Sequence, residues 1–254
     1  MSLLEISGLT KQFGGLTAVN EVTFNIEKNQ ICALIGPNGA GKTTAFNLIT
    51  GVYTPTNGTV KFDGQTLNKM KPNKIVREGI ARTFQNIRLF KKMSALENVM
   101  AGFHCRTEAD VFSIIFHPVK CTKEKAEVTK KAERLLEYIG MLDQKDELAG
   151  SLPYGHQRLL EIARALASGP KLLLLDEPAA GMNKVEKQQL IELITRIRED
   201  YDMTVLLVEH DMDVIMPISD AVAVLNYGSL MAYGTPAEIQ ANEEVIAAYL
   251  GSED

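Results

Sequence analysis

The sequence has few cysteines, and their number and spacing argue against two kinds of site. The chain contains only Cys32, Cys105 and Cys121, which form no C-x-x-C pair and are odd in number. A disulfide framework needs paired cysteines, and a structural zinc site needs closely spaced ones. The pattern therefore argues against both and is typical of a protein kept in a reducing compartment.

Long apolar runs, a secretion signal and an excess of basic residues are also absent. No apolar run approaches the roughly 18–20 residues that span a bilayer, and the N-terminus lacks a basic stretch followed by an apolar one. The formal net charge is −5, which argues against a nucleic-acid-binding surface. We expect a cytoplasmic chain without a nucleic-acid partner, whose contact with a membrane would depend on another protein.

The composition is ordinary for a globular enzyme. The chain has 254 residues, of which 45% are hydrophobic and 23% are charged. A chain of this length buries a large core, either as one domain or as a main domain with a subdomain.

A glycine-rich segment is the strongest indication of chemistry. It fits the pattern G-x-x-x-x-G-K-[ST] of phosphate-binding loops, and it lies between an apolar run at residues 31–35 and a plausible helix at residues 45–49. We call residues 36–44 the phosphate loop; they are Gly36, Pro37, Asn38, Gly39, Ala40, Gly41, Lys42, Thr43 and Thr44. Glycines allow successive backbone N–H groups to point at one phosphate. The motif predicts that Lys42 reaches the β- and γ-phosphates and that the Thr43 hydroxyl binds Mg²⁺.

Two carboxylates follow another apolar run. Residues 172–175 are four consecutive leucines, and Asp176 and Glu177 come directly after them. Ligands of α/β proteins bind at the carboxyl ends of the strands. We predict that Asp176 anchors Mg²⁺ through water and that Glu177 orients or deprotonates the attacking water. Taken alone, the pattern also fits a strand that ends in a solvated acidic turn.

The remaining pattern predicts an α/β fold with two kinds of sheet. Short apolar runs at residues 205–208 and 221–225 are typical of central parallel strands covered on both faces. Residues 22–26 alternate between apolar and polar, as half-buried strands of an antiparallel layer do. Residues 235–238, Thr-Pro-Ala-Glu, fit a capping box and predict a C-terminal helix that begins there.

These motifs and several others resemble those of the nucleotide-binding subunits of ABC transporters, over essentially the whole chain. Gln85 is similar to the glutamine of the family's Q-loop, and residues 152–158 (Leu-Pro-Tyr-Gly-His-Gln-Arg) are similar to its signature motif. His210 resembles the switch histidine of the family. Phe13 resembles the aromatic residue that stacks on adenine, with Val19 beside it.

The resemblance implies a role for each matched residue. The implied catalytic residues are Glu177, His210 and Gln85, and the implied ligands of the Mg²⁺ cofactor are Thr43, Gln85 and Asp176. His210 would contact the γ-phosphate, and Gln85 would link Mg²⁺ and the water to a membrane partner. The signature residues that would face the ATP of another subunit are Pro153, Tyr154, Gly155 and His156. ATP would then close two subunits on each other, and hydrolysis would release them.

The chain departs from the family pattern at three positions. Pro153 stands where the common signature has serine, and proline supplies neither a hydroxyl nor an N–H group to a phosphate. We therefore expect a weaker or partner-dependent contact on that side. Asn183 stands where many members have aspartate, so hydrogen bonding is kept and the charge is not. Phe13 replaces a tyrosine, which we expect to be benign.

A narrower likeness concerns the transported substrate. Residues 82–90, 153–155, 176–183 and 248–251 resemble the first of the two ATPase subunits of bacterial branched-chain amino acid importers. The resemblance implies a second ATPase subunit in a hetero- or homodimer, two transmembrane permease subunits, and indirectly a substrate-binding protein. It also implies a peripheral location on the inner face of the cell membrane. Importers of other amino acids, amides or urea remain an alternative.

The predicted fold class is the α/β ABC cassette of the P-loop NTPases, with a RecA-like core, an antiparallel β layer and an α-helical subdomain. We expect a single ABC ATPase domain over residues 1–254. Within it, residues 1–86 and 166–254 would form the core with the β layer, and residues 87–165 the helical subdomain. The segment 103–122, which contains the apolar residues 111–116, is either a satellite core or a surface that docks a membrane subunit.

Three other classes of ATP-using protein share parts of this pattern. DNA-repair ATPases of the structural-maintenance type insert long coiled coils between the glutamine and the signature, and no sustained heptad occurs here. Ribosome-binding ATPases of the ABC class carry tandem cassettes, whereas this chain has one phosphate loop. A small-molecule kinase would not explain residues 152–158 or Glu177. A non-transport ABC ATPase that acts on nucleic acid is thus the less favoured alternative.

Overall fold

A computed structural model describes residues 2–103 and 118–250 of the chain. Residues 111–116, which the sequence assigns either to a satellite core or to a docking surface, lie outside the described residues. The strands in chain order are β1 (Ser2–Phe13), β2 (Leu16–Glu27), β3 (Ile31–Ile35), β4 (Asn57–Phe62), β5 (Gln65–Thr66), β6 (Ile80–Arg82), β7 (Leu172–Asp176), β8 (Thr204–Val208), β9 (Ala221–Asn226) and β10 (Ser229–Gly234). The α-helices are α1 (Lys42–Ile49), α2 (Pro72–Glu78), α3 (Ala95–Phe103), α4 (Pro118–Tyr138), α5 (Tyr154–Ala167), α6 (Lys184–Tyr201), α7 (Met212–Ile218), α8 (Pro236–Gln240) and α9 (Glu243–Leu250).

The chain divides into two compact units. The first unit comprises Met1–Ile75 and Lys171–Asp254, and the second unit comprises Val76–Pro170. The phosphate loop, Asp176 and Glu177 belong to the first unit. Gln85 and the signature motif belong to the second.

An antiparallel sheet forms one layer of the first unit. Its strands follow the order β2-β1-β4-β5, and Ile6 of β1 lies opposite Phe24 of β2 and Val60 of β4. Val22, Phe24 and Ile26 are buried, and the residues between them are exposed. The structure thus confirms the alternation that the sequence predicts for this layer.

The second sheet carries the parallel strands of the first unit. Its strands in this unit follow the order β10-β9-β3-β8-β7. The pairs β9–β3, β3–β8 and β8–β7 are parallel, and β10 is antiparallel to β9. Every residue of β3, β7 and β8 is buried, which explains their continuous apolar sequences. The mostly parallel sheet and the separate antiparallel layer confirm the predicted fold class.

The parallel strands bring three chemical segments to one edge of the sheet. The phosphate loop follows β3, Asp176 ends β7, and Glu209 and His210 follow β8. Because β3, β8 and β7 are neighbours and run in the same direction, these three segments lie side by side at the carboxyl edge.

Helix packing builds the core of the second unit. Helix α3 packs against α4 and α5, and the buried side chains include Val99, Leu136 and Leu160. A Cβ atom at Gly102 would lie 2.3 Å from the carbonyl oxygen of Arg164, so α3 and α5 approach backbone to backbone at this glycine. Position 102 therefore requires glycine because a side chain would clash with α5, and not because of its backbone conformation.

The described helices do not cross a membrane. Over residues 2–103 and 118–250, no helix combines the length and the apolar composition that a bilayer span requires.

Candidate active site

The phosphate loop wraps around its own lysine. The Lys42 ammonium donates hydrogen bonds to the carbonyl oxygens of Gly36, at 2.6 Å, and Pro37, at 2.9 Å. Burial lowers the pKa of Lys42, and the negative charge of Glu177 acts in the opposite direction. Lys42 and Glu177, the predicted phosphate ligand and the predicted catalytic carboxylate, thus belong to segments that lie at the same edge of the sheet.

Two positions of the loop require glycine because the backbone of neighbouring strands lies close to them. Gly36 and Gly41 have φ angles of 147° and 99°, in the region that side chains rarely adopt. A Cβ atom at Gly36 would lie 2.1 Å from the carbonyl oxygen of Leu225, and one at Gly41 would lie 2.5 Å from that of Ala18. The close approach fixes the loop against β9 and β2.

Helix α1 presents its N-terminus at the loop. It begins at Lys42 after Gly41, and glycine has no side chain with which to cap it. The N–H groups of the first turn, which includes Thr43 and Thr44, have no acceptor within the helix and are suited to a phosphate. Thr43 is exposed on this turn, where its hydroxyl can face a ligand.

The two carboxylates at the end of β7 lie in contrasting environments. Asp176 is the last residue of the strand and is 3% exposed. Glu177 has a left-handed backbone with φ 47°, and its N–H group donates to the carbonyl oxygen of Val208 at 2.9 Å. A non-glycine residue in this conformation is uncommon and is found preferentially at functional sites. The turn therefore redirects the chain at the predicted catalytic residue.

Glu209 is a buried carboxylate that the sequence reasoning missed. Its Oε1 accepts a hydrogen bond from the N–H group of Ala179 at 2.8 Å, and its Oε2 accepts one from the N–H group of His210 at 3.1 Å. Burial raises the pKa of Glu209, and these hydrogen bonds oppose the increase. Glu209 thus joins the loop after Glu177 to the segment that carries His210.

The imidazole of His210 faces outward from this edge. The side chain is 67% exposed, and its Nδ1 lies 3.9 Å from Oε2 of Glu209. A signal for Glu209 was present in the sequence, since it directly follows the apolar strand β8 in the same way as Glu177 follows β7.

The loop after Glu177 ends in a helix cap. Asn183 is the N-cap of α6; its Oδ1 accepts hydrogen bonds from the N–H groups of Val185, at 2.9 Å, and Glu186, at 3.1 Å. The Glu186 carboxylate accepts in return from the N–H group of Asn183 at 2.8 Å. Asparagine therefore serves as the cap that an aspartate would provide.

The predicted adenine contacts differ in exposure. Phe13 is 42% exposed and meets Tyr53 edge to face, with ring centroids 5.1 Å apart. The Lys11 ammonium lies 5.0 Å from the centre of the Phe13 ring. Val19 is fully buried, and its Cγ2 lies 3.5 Å from the position of a Cβ atom at Gly41. Phe13 thus offers a surface for stacking, whereas Val19 supports the phosphate loop.

The signature residues lie at the N-terminus of α5 in the second unit. Pro153 is the N-cap residue, and Tyr154, Gly155 and His156 form the first turn. Tyr154 is 48% exposed, and Nδ1 of His156 lies 2.8 Å from Oε1 of Gln144. Gln85, in the same unit, accepts a hydrogen bond at its backbone carbonyl from Arg158.

Among residues 2–103 and 118–250, no group of three or more histidine, cysteine, aspartate or glutamate side chains forms a metal cluster.

Comparison with known proteins identifies the family. The model of the ABC transporter family matches residues 19–180, and a model described as "Branched-chain amino acid ATP-binding cassette transporter" matches residues 229–254. The chain is 45% identical to the high-affinity branched-chain amino acid transport ATP-binding protein BraF of Pseudomonas aeruginosa. The alignment extends over 249 residues and covers 98% of each of the two chains. The chain is also 45% identical to LivG of Escherichia coli, with the same coverage.

A solved structure agrees with this result. A nucleotide-free ATP-binding cassette from an ABC transporter superposes with a TM-score of 0.86 at 29% identity, covering 98% of this chain and 99% of the other. The chain therefore belongs to the ABC transporter family and is one of its ATP-hydrolysing ATP-binding proteins.

Proposed function

We propose that the chain is the ATP-hydrolysing subunit of an importer for branched-chain amino acids. The observation that carries the mechanism is the arrangement of Lys42, Glu177 and His210 after β3, β7 and β8, three neighbouring parallel strands. The substrate class is supported by the names of the relatives and by the family model that matches residues 229–254.

The first unit provides the groups that bind ATP. The N–H groups of the phosphate loop and the Lys42 ammonium bind the phosphates, and Phe13 stacks on the adenine. Lys42 would exchange its hydrogen bonds with the loop carbonyls for contacts with phosphate oxygens. Its position over the loop means that little movement is needed for this exchange.

The donor set fits Mg²⁺ as the metal. The buried Asp176 carboxylate and the exposed Thr43 hydroxyl are hard oxygen ligands, which this ion prefers. When bound, Mg²⁺ supplies neutralisation of the charge on the β- and γ-phosphates.

Hydrolysis requires a base and a group that stabilises the γ-phosphate. Glu177 accepts the proton of the attacking water, the water oxygen bonds to the γ-phosphorus, and the bond to the β–γ bridging oxygen breaks. His210 donates a hydrogen bond to the γ-phosphate. Glu209 holds the backbone of His210 through the 3.1 Å hydrogen bond and thereby orients this donor.

Transport requires partners that the chain itself does not contain. We infer a second ATPase subunit in a homo- or heterodimer, two transmembrane permeases and, indirectly, a substrate-binding protein. The first turn of α5, from Pro153 to His156, would face the γ-phosphate bound by the second ATPase subunit. The chain would lie peripherally on the inner face of the membrane, on the permeases.

Uptake of labelled leucine, isoleucine and valine by cells that lack this chain tests the proposal. Reintroduction of the wild-type chain should restore uptake, whereas Lys42→Ala and Glu177→Gln should reduce it by about 100-fold or more, because each removes a group needed for turnover. Glu192→Gln, on the exposed face of α6, is the matched control and should restore uptake fully. Uptake that is the same with and without the chain would contradict the proposed substrate class.

A further inference from the structure

An irregular segment of the second unit depends on helix α5 for its hydrogen bonds. Residues 83–90, which include Gln85, follow β6 and form neither helix nor strand. Main-chain polar groups in such a segment need partners outside regular secondary structure. We call residues 84–88 the glutamine segment.

Arg158 donates hydrogen bonds to the main chain at the start of the glutamine segment. One terminal nitrogen of its guanidinium donates to the carbonyl oxygen of Phe84 at 2.6 Å, and the other donates to that of Gln85. The side chain is 2% exposed. Its Nε has no hydrogen-bond partner among the residues that the structure describes. The contacts of this buried arginine are thus concentrated at its two terminal nitrogens.

Glu161 and Arg164 hold the other end of the glutamine segment. Oε1 of Glu161 accepts a hydrogen bond from the N–H group of Arg88 at 3.1 Å, and Arg164 donates to the carbonyl oxygen of Arg88 at 2.5 Å. Glu161 is 1% exposed, and its Oε2 lies 3.4 Å from the guanidinium of Arg158. Both ends of the segment are therefore bound by charged side chains of one helix.

The same guanidinium also reaches the signature motif. The nitrogen of Arg158 that donates to the Gln85 carbonyl also donates to the Tyr154 hydroxyl at 3.1 Å. Tyr154 lies in the first turn of α5 and is 48% exposed. A single nitrogen thus connects the main chain at Gln85 with a side chain that is available to another molecule.

We propose that Arg158 and Glu161 are positioning residues that couple the main chain at Gln85 to the first turn of the signature helix. A shift of the glutamine segment on nucleotide binding changes the acceptors of Arg158 and thereby moves the Tyr154 hydroxyl. In the same way, a contact that moves Tyr154 shifts the glutamine segment through Arg158. The functional part of this inference depends on the proposed roles of Gln85 and of the signature residues.

Arg158→Lys is the principal test, because one ammonium group cannot replace two donors in a planar fork. The peptide that contains residues 84–88 should exchange its amide hydrogens about tenfold faster or more in the purified full-length chain, as expected when charge-assisted hydrogen bonds are lost. ATP turnover should fall by roughly 10- to 100-fold, as expected for a misplaced catalytic group. The affinity for ATP should stay within about twofold, since the phosphate loop is unchanged.

Two comparisons distinguish positioning from general stabilisation. Arg134→Lys makes the same substitution at an exposed site on α4 and should change neither amide exchange nor turnover. Gln85→Ala and Arg158→Lys should not be additive: the double variant should retain the turnover of Gln85→Ala within about twofold, since both affect one unit.

Three results would overturn the proposal. The first is wild-type exchange of residues 84–88 in a folded Arg158→Lys protein, and the second is full additivity with Gln85→Ala. If Arg158→Lys does not fold, Tyr154→Phe is the deciding variant, because it removes only the hydroxyl that accepts a hydrogen bond from Arg158. Unchanged turnover and unchanged amide exchange in Tyr154→Phe are the third result. Amide exchange is measured without transport, so failure of the branched-chain amino acid assignment leaves this test intact.

Discussion

At the scale of single residues, Glu209 connects the loop that follows Glu177 with the segment that carries His210, the two segments proposed to flank the γ-phosphate. Its carboxylate accepts hydrogen bonds from the N–H groups of Ala179 and His210 at 2.8 and 3.1 Å and is 1% exposed. A buried carboxylate with two such donors holds both backbones in fixed positions. The orientation of His210 is therefore coupled to the loop that follows Glu177.

Glu209→Gln should lower the rate of ATP turnover without lowering the affinity for ATP. The amide keeps the shape of the side chain, but its nitrogen cannot accept a hydrogen bond from either N–H group. We expect turnover to fall by roughly tenfold or more, since a catalytic donor loses its orientation, and the ATP dissociation constant to stay within about twofold.

Steady-state kinetics and equilibrium nucleotide binding check this prediction. Glu192→Gln, at an exposed position on α6, is the matched control. Unchanged turnover in a folded Glu209→Gln protein would show that the carboxylate does not orient His210.

The sequence predicted residues with local motifs and missed residues whose partners are distant. Lys42 belongs to a compact glycine-rich pattern, and Glu177 directly follows an apolar strand. Glu209 pairs with Ala179, which lies 30 positions away, and Arg158 pairs with Gln85, which lies 73 positions away. No spacing rule connects such pairs, because the fold alone brings them together.

At the scale of elements, helix α6 depends on Asn183 for its first turn. The side chain accepts from the N–H groups of Val185 and Glu186, and Glu186 completes the capping box. The cap also ends the loop that starts at Glu177, so it fixes the loop at its far end.

Asn183→Ala should reduce the free energy of unfolding by about 1 kcal/mol, since it leaves two N–H groups of α6 without their acceptor. Asn183→Asp keeps the acceptor and places a negative charge at the helix N-terminus, so its stability should equal or exceed that of the wild type. Urea denaturation of the three proteins measures the difference. Equal stability of Asn183→Ala and the wild type would contradict the importance of the cap.

The sequence predicted most elements by the period of their apolar residues. Strands β3, β7 and β8 were expected from continuous apolar runs, and the structure buries every one of their residues. The capping box at Thr235 correctly predicted the start of α8, with a hydrogen bond of 3.3 Å from the Glu238 N–H group to Oγ1 of Thr235. The sequence did not predict that the helix ends at Gln240.

The break between the last two helices has a local cause. The Asn242 side chain accepts hydrogen bonds from the N–H groups of Glu244, at 3.0 Å, and Val245, at 3.1 Å. An asparagine side chain that accepts these hydrogen bonds competes with the helical backbone hydrogen bonds and favours the start of a new helix. A second helix, α9, therefore begins at Glu243.

At the scale of the whole molecule, the proposed function requires that ATP closes two ATPase subunits on each other. The first unit would bind the nucleotide, and the first turn of α5 would contact the nucleotide of the second subunit. Pro153 offers neither a hydroxyl nor an N–H group there, and as the N-cap residue it leaves α5 without a side-chain cap. We expect the contact between subunits to be correspondingly weak.

Pro153→Ser should strengthen this contact. A serine at the N-cap supplies a hydroxyl for the helix or for a phosphate and restores an N–H group. In the Glu177→Gln background, the ATP-bound dimer should dissociate several-fold more slowly than without the serine, as expected for one added hydrogen bond. An unchanged dimer lifetime and unchanged ATP turnover would remove Pro153 as the cause of a weak contact.

The most direct test is the mass of the Glu177→Gln protein with and without Mg-ATP, measured by light scattering together with the identity of the bound nucleotide. We expect that ATP stays unhydrolysed and that the mass rises from the 28.0 kDa of one chain to twice that value, whereas ADP leaves the mass unchanged. A protein that converts ATP to ADP at the wild-type rate and keeps the mass of one chain would contradict both the catalytic role of Glu177 and closure by ATP.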